Sequence, residues 1–187
     1  MPRLNNKAQL QSNKYILIGI PSSGKSTIGK RAAKKLQIPF YDTDMLAYER
    51  LNLDHPAKLF LTSSIMRLVE EKSKLLTELA KLDSSAIIEI WPESALNPSD
   101  IKVMKKIGKI IYIKRETKDM IAGAKKRSQM VLHNMTTGKK IHMQSELINL
   151  YAKELSHLEA LADLTLDNNG SLDEAVEKLA AMIQTGK

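Results

Sequence analysis

Gly19-Ile20-Pro21-Ser22-Ser23-Gly24-Lys25-Ser26, followed at once by Thr27, is the stretch that decides the fold. It reads G-x-x-x-x-G-K-S and lies between an apolar run, Tyr15-Ile16-Leu17-Ile18, and a segment of helical periodicity. A strand before such a loop and a helix after it are what phosphate binding requires of this motif. Loop N–H groups and the open helix N-terminus turn partial positive charge toward a β-phosphate. Ser22, Ser23, Gly24, Lys25, Ser26 and Thr27 are therefore the expected nucleotide-binding residues. Lys25 has the length to reach the β- and γ-phosphates, and the Ser26 hydroxyl is placed to ligate Mg2+. The expected ligand is a nucleoside triphosphate.

Working outward, Ile28, Ala32, Ala33 and Leu36 fall on one face of a helix over about 25–36. Pro39 breaks that pattern, and Phe40-Tyr41 leads a short strand into Asp42-Thr43-Asp44. Helical patterns follow over about 45–52 and about 57–82, the second carrying Leu61, Ile65, Leu68, Leu75, Leu76 and Leu79. Ala86 to Ile90 and Lys109 to Ile113 read as strands, with a short helix between them capped by Ser99 or Asp100 and ending near Gly108. A helix over about 117–127 precedes a polar stretch to about 142 that reads as a mobile loop. A long helix over about 143–161, a strand at Asp163 to Asp167 and a last helix starting at Ser171 complete the chain. Strands alternating with helices imply a parallel sheet covered on both faces, an α/β architecture.

Composition sets the bounds. At 187 residues, with 43% hydrophobic and 27% charged residues, the chain suits one well-buried domain. The absence of cysteine excludes disulfides and thiolate metal sites and suits a cytoplasmic protein. No run reaches the roughly 20 apolar residues of a membrane span. The polar start, Met1 to Asn13, is unlike a signal peptide and reads as a flexible tail. A net charge of +8 raises the question of nucleic acid, but 4% aromatic residues supply no stacking platform. A basic surface that attracts nucleotide phosphates accounts for the charge, so neither nucleic acid nor membrane is an expected partner. The four histidines show no metal-ligand spacing.

Two large classes of triphosphate-binding protein are excluded by what the chain lacks. There is no N-K-x-D segment for guanine and no L-S-G-G-Q-like segment of a transporter ATPase. Small kinases instead need carboxylates soon after the first helix, where Asp42-Thr43-Asp44 stands. Helix capping is the other reading of those aspartates. Gly19 to Asp44, with Ile38-Pro39-Phe40-Tyr41-Asp42-Thr43-Asp44 closing the segment, resembles the shikimate kinase family. Arg67 and Glu70 match that family's R-x-x-E, and Ala162 to Asp167 resembles its last strand.

The resemblance implies a nucleoside-monophosphate-kinase-like fold with a five-stranded parallel sheet, ATP and Mg2+ as cofactors, and transfer of the γ-phosphate to an acceptor hydroxyl. It implies a single kinase domain over residues 14–187, acceptor-binding helices over about 45–82 and a lid over about 128–142. Asp42 would stand near Mg2+, Asp44 would hold and activate acceptor hydroxyls, and Arg67 would pair with an acceptor carboxylate. Arg127 resembles the lid arginine that stabilises the transferred phosphoryl group, with Lys125 and Lys126 beside it. Asp167-Asn168-Asn169 would lie on the adenine side. A monomer or weak homodimer is expected.

The chain also differs from the family pattern. Ser22 replaces a loop glycine, and Trp91-Pro92-Glu93 stands where the family has three glycines beside the acceptor. Leu147-Ile148-Asn149-Leu150-Tyr151 lacks the arginine that precedes the family's P-L-Y. Trp91 then reads either as a core residue or as lining of the acceptor pocket. Glu89, a carboxylate in an apolar strand, reads either as a water-mediated Mg2+ contact or as an outward-facing side chain, with Glu93 the weaker alternative. Shikimate is the leading acceptor. Another hydroxylated metabolite or nucleotide, or a nucleotide-binding regulatory role without efficient transfer, are the alternatives.

Overall fold

The computed structural model describes residues 13–52, 64–127, 131–133, 140–142 and 148–185. In chain order these hold β1 (Lys14–Ile18), α1 (Lys25–Leu36), β2 (Phe40–Asp42), α2 (Thr43–Arg50), α3 (Ser64–Leu79) and β3 (Ala86–Glu89). Then come α4 (Pro92–Leu96), α5 (Pro98–Ile107), β4 (Gly108–Lys114), α6 (Thr117–Arg127), β5 (Val131–His133) and β6 (Lys140–His142). A 3-10 turn at Ala152–Glu154, α7 (Leu155–Leu161), β7 (Leu164–Asp167) and α8 (Leu172–Thr185) finish the order.

Five strands form one parallel sheet in the order β2-β3-β1-β4-β7. Strand β1 is central, and its side chains alternate between two apolar layers, as a period of two requires. Tyr15 and Leu17 join Ile28, Ala32, Leu166, Val176 and Leu179 beneath α1 and α8. Ile16 and Ile18 join Leu76, Ile88, Met104, Ile110, Met120 and Leu158 on the other face. Gly29 lets α1 lie close to the sheet, since a Cβ there would meet Phe40 at 2.5 Å and Leu17 at 2.8 Å. Because β1 has β3 on one side and β4 on the other, connections leave in opposite directions. A crevice opens at the carboxyl ends of the strands, where α/β sheets bind ligands.

Three details differ from the sequence-based expectation. The helix before β4 is capped by Asn97, whose Oδ1 accepts from Ser99 N at 2.9 Å and Asp100 N at 3.4 Å, because Pro98 takes the first helical position. The region expected to be a mobile loop contains an antiparallel pair, Val131↔His142 to His133↔Lys140, in keeping with the strand propensity of Val131 and Ile141 in the sequence. Of the helix expected over about 143–161, residues 143–147 lie outside the described residues, 148–151 are helical, and the chain passes through the 3-10 turn before α7. Residues 1–12 of the expected tail and 128–130 and 134–139 of the expected lid lie outside the described residues. Among the described residues no helix is long and apolar enough to cross a membrane.

Candidate active site

The loop between β1 and α1 turns sharply. Gly24 holds φ +100° against Asn168, whose amide nitrogen a Cβ would meet at 2.5 Å. That amide donates to the Ser23 carbonyl at 2.7 Å, tying the loop to the end of β7. Ser22 sits at φ +65°, the left-handed region in which the family's glycine would be unstrained. Lys25 is buried, and its ammonium donates to the Gly19 and Ile20 carbonyls at 2.8 and 3.3 Å. Burial pushes that ammonium below its ordinary value, against the pull of Glu89, Asp44, Asp42 and Glu93.

Sheet register places two carboxylates on this rim. Glu89, the last residue of β3, pairs with Leu17 of β1 on one side and with Asp42 of β2 on the other. Glu89 is therefore turned into the site and not outward. Its Oε1 accepts from the Ser26 hydroxyl at 2.9 Å and stands 3.9 Å from the Lys25 ammonium, while Oε2 is buried without a partner among the described residues. Burial raises the Glu89 carboxyl above its usual range, opposed first by Lys25. A serine hydroxyl and a carboxylate with a spare oxygen are oxygen donors that fit a hydrated Mg2+ arriving with a nucleotide, whose phosphates the buried Lys25 ammonium would face. Asp42 caps α2, its Oδ1 accepting from Asp44 N and Met45 N at 3.2 Å each, and its charge acts on both Lys25 and Glu89.

Asp44 makes no cap. Its Oδ1 lies 2.6 Å from the Lys72 ammonium in a pair whose side chains are 17% and 7% exposed. Burial raises the Asp44 carboxyl, and Lys72 opposes the rise. Lys72 also lies over the Trp91 ring, 5.3 Å from its centroid. Behind the indole, Tyr151 hydrogen-bonds with Glu93 and Trp91, and burial together with the Glu93 charge holds its phenol well above the usual range. Tyr48 faces the same charges, so burial, Asp44 and Glu93 raise its phenol too. Asp100, buried, accepts from the Ser73 hydroxyl at 3.0 Å and from Ser94, joining α3 to the segment after β3.

The loop residues, Asp42, Asp44, Glu89 and Trp91 thus meet at one mouth. Arg67 makes no described contact with them. It is exposed on α3, on the helical stripe shared with Glu71, Lys74 and Glu78, and Glu71 is paired with Arg50 and Lys74. Arg127 ends α6, and nothing of its side chain belongs to the described set. Sequence reasoning missed Lys72, Tyr151 and Tyr48. For Lys72 a signal existed: Leu68, Lys72, Leu75 and Leu79 form one buried stripe, and a lysine inside it demands a charged partner.

A family model described as Shikimate kinase matches residues 21–184. The shikimate kinase of Clostridium botulinum strain Alaska E43 is 26% identical over 171 residues, 91% of this chain and 97% of that relative. The solved shikimate kinase of Bacteroides thetaiotaomicron superposes with a TM-score of 0.73 at 18% identity, covering 92% of this chain and 98% of that one. Shikimate kinase from Acinetobacter baumannii, solved in complex with shikimate, gives a TM-score of 0.74 at 16% identity over 95% and 97%. These structures share the fold.

Proposed function

Because the chain belongs to the shikimate kinase family of ATP-dependent phosphotransferases with an alcohol acceptor, we propose that shikimate is its acceptor and that the mouth described above carries the transfer. One observation supports this most directly. The loop lysine, the Ser26 hydroxyl and three carboxylates from the ends of β2, β3 and the start of α2 act electrostatically on one another at a single rim.

In this reading the backbone of Ser22 to Thr27 and the Lys25 ammonium hold the β- and γ-phosphates. Ser26, Asp42 and Glu89 hold Mg2+, which when bound with ATP neutralises charge on the phosphate oxygens. Asp44 would accept the hydrogen bond of the acceptor hydroxyl and take its proton as that oxygen bonds to the γ-phosphorus, while the bond from the γ-phosphorus to the β,γ-bridging oxygen breaks and ADP leaves with that oxygen. Arg67 meets the acceptor from α3, and Arg127 supplies lid charge as residues 128–142 close and exclude water. Trp91 bounds the acceptor pocket. We place the protein in the cytoplasm as a monomer or weak homodimer that binds neither nucleic acid nor membrane.

A second reading rests on Trp91-Pro92-Glu93, which fills the place of the family's glycines, and on Leu147-Ile148-Asn149-Leu150-Tyr151, which lacks one carboxylate-binding arginine. It makes the acceptor another hydroxylated metabolite or a nucleotide. A regulatory protein without efficient transfer rests on the same departures. ADP release measured with ATP, Mg2+ and a metabolite panel separates the three. Shikimate-dependent release is expected. Release with a different acceptor moves the reading to the second, and release with none moves it to the third.

A further inference from the structure

The departure from the family pattern after β3 meets a residue far along the chain. Trp91 and Glu93 come from that departure, and each is hydrogen-bonded to Tyr151. In front of the indole stands Lys72 from α3, and in front of Lys72 stands Asp44. The five side chains form one continuous line: Glu93, Tyr151, Trp91, Lys72, Asp44.

We propose that Lys72 is the positioning residue for Asp44, that Trp91 is the shelf holding its ammonium, and that Tyr151 and Glu93 brace the indole. The inference rests on the kinase reading above, in which Asp44 meets the acceptor hydroxyl. Three observations carry it. First, the cation lies on the sealed side of the pair: Lys72 is 7% exposed and Asp44 17%, so the carboxylate opens toward the mouth while the ammonium backs it. Second, the Lys72 ammonium meets Oδ1 as an ion pair at 2.6 Å, which leaves Oδ2 as the oxygen for a hydroxyl. Third, stability alone does not account for the lysine. A buried ion pair is rarely better than well-packed apolar side chains, and the rest of this stripe, Leu68, Leu75 and Leu79, is apolar.

An indole face attracts an ammonium through its quadrupole, so Trp91 keeps the Lys72 charge in one place while Asp44 is engaged. Tyr151 takes the Trp91 ring by its polar edge and is itself held by Glu93, which stops the indole from turning. A glycine segment at this place would leave Lys72 unsupported. The bulky residue after β3, steadied by the tyrosine at 151, therefore acts as a mount for the residue that aims the acceptor.

The test uses the full chain with ATP, Mg2+ and shikimate, and two variants, Lys72→Met and Lys72→Arg. Lys72→Met is expected to lower acceptor kcat/KM about 100-fold, the scale of a misaimed reacting group, while the KM for ATP stays within about twofold. Lys72→Arg, which keeps the charge, is expected to recover most of that loss. Trp91 is the sole tryptophan, so its emission reports the contact directly and should shift in Lys72→Met without ligand. Acceptor kcat/KM within about threefold of wild type in Lys72→Met overturns the proposal, and so does an equal rise in both KM values. A folded Lys72→Arg as impaired as Lys72→Met overturns it too. If Lys72→Met does not fold, Trp91→Leu takes its place, with the same split at about tenfold. Wild-type protein inactive with every acceptor overturns the kinase reading and this role together. Active wild type with indifferent variants overturns this role alone.

Discussion

The nucleotide side and the acceptor side of this mouth are built in opposite ways. The nucleotide side is one continuous loop, residues 19–26, whose proposed phosphate-binding groups are backbone N–H donors fixed by a turn, supplemented by carboxylates that adjacent strands deliver in register. The acceptor side has no continuous segment. Asp44, Lys72, Trp91, Glu93 and Tyr151 come from four separate stretches of chain and are aimed by one another. A site written in backbone geometry tolerates little change in sequence. A site written in side chains can exchange its parts, provided the exchange is made together.

Substitutions that strike one side and spare the other break or sharpen this contrast. The largest expected effect is on the nucleotide side. Lys25→Ala should lower turnover by about 10³-fold or more with the fold intact, because it removes the charge aimed at the transferring phosphoryl group. Turnover by coupled ADP release and a far-ultraviolet melt check both parts; near-normal turnover would end the assignment of Lys25.

On the acceptor side, Asp44→Asn should lower acceptor kcat/KM by about 10²–10⁴-fold while ATP affinity, read by calorimetry, stays near wild type. It also leaves the Lys72 ammonium without its counter-charge, which should cost about 3 kcal/mol in urea unfolding. An equal loss of ATP affinity would show that the two sides are not separable.

Asp100 tests the frame that joins α3 to the segment after β3. Burial raises its carboxyl above the ordinary value, so the folded state holds the proton more tightly than the unfolded chain. Its penalty is therefore absent below the unfolded value of 3.8, grows as pH rises through the raised folded value and is complete above it. Asp100→Asn should raise Tm by about 1–2 °C at pH 7, with the advantage fading as pH falls toward the ordinary carboxylate range. Melting curves across that window decide it, and a gain that grows on acidification contradicts the reasoning.

The smallest effect is at Ser22. Its left-handed backbone costs about 1–2 kcal/mol in a residue with a Cβ. Ser22→Gly removes that strain and returns about 0.5–1 kcal/mol to chain entropy, so stability should rise by less than about 1 kcal/mol. Denaturant midpoints at constant slope measure it; a loss of stability would mean that the loop has adapted to serine.

Much of the architecture was legible in the chain. Strand β1, the loop, helix α1, the parallel order and the carboxylates at Asp42 and Asp44 all follow from short-range pattern: an apolar run, a glycine-framed turn, a helical stripe, a break at Pro39. Glu89 was legible as an odd carboxylate in an apolar strand, with a Mg2+ contact and an outward-facing side chain left as alternatives. Its direction depends on register, and a shift of one residue would have turned it to the other face. Arg67 shows the reverse: an R-x-x-E match fixes spacing along a helix, whereas the phase of α3 against α2 leaves that side chain exposed.

The chain alone thus determined the grip on the triphosphate, because that grip is local: a few backbone angles set by glycine, a lysine and a hydroxyl at fixed offsets. Only the tertiary structure decided how Asp44 is held. The residues that hold it lie up to about a hundred positions away, and neither helix phase nor the meeting of an indole, a phenol and an ammonium in one buried volume is encoded within the reach of any local pattern.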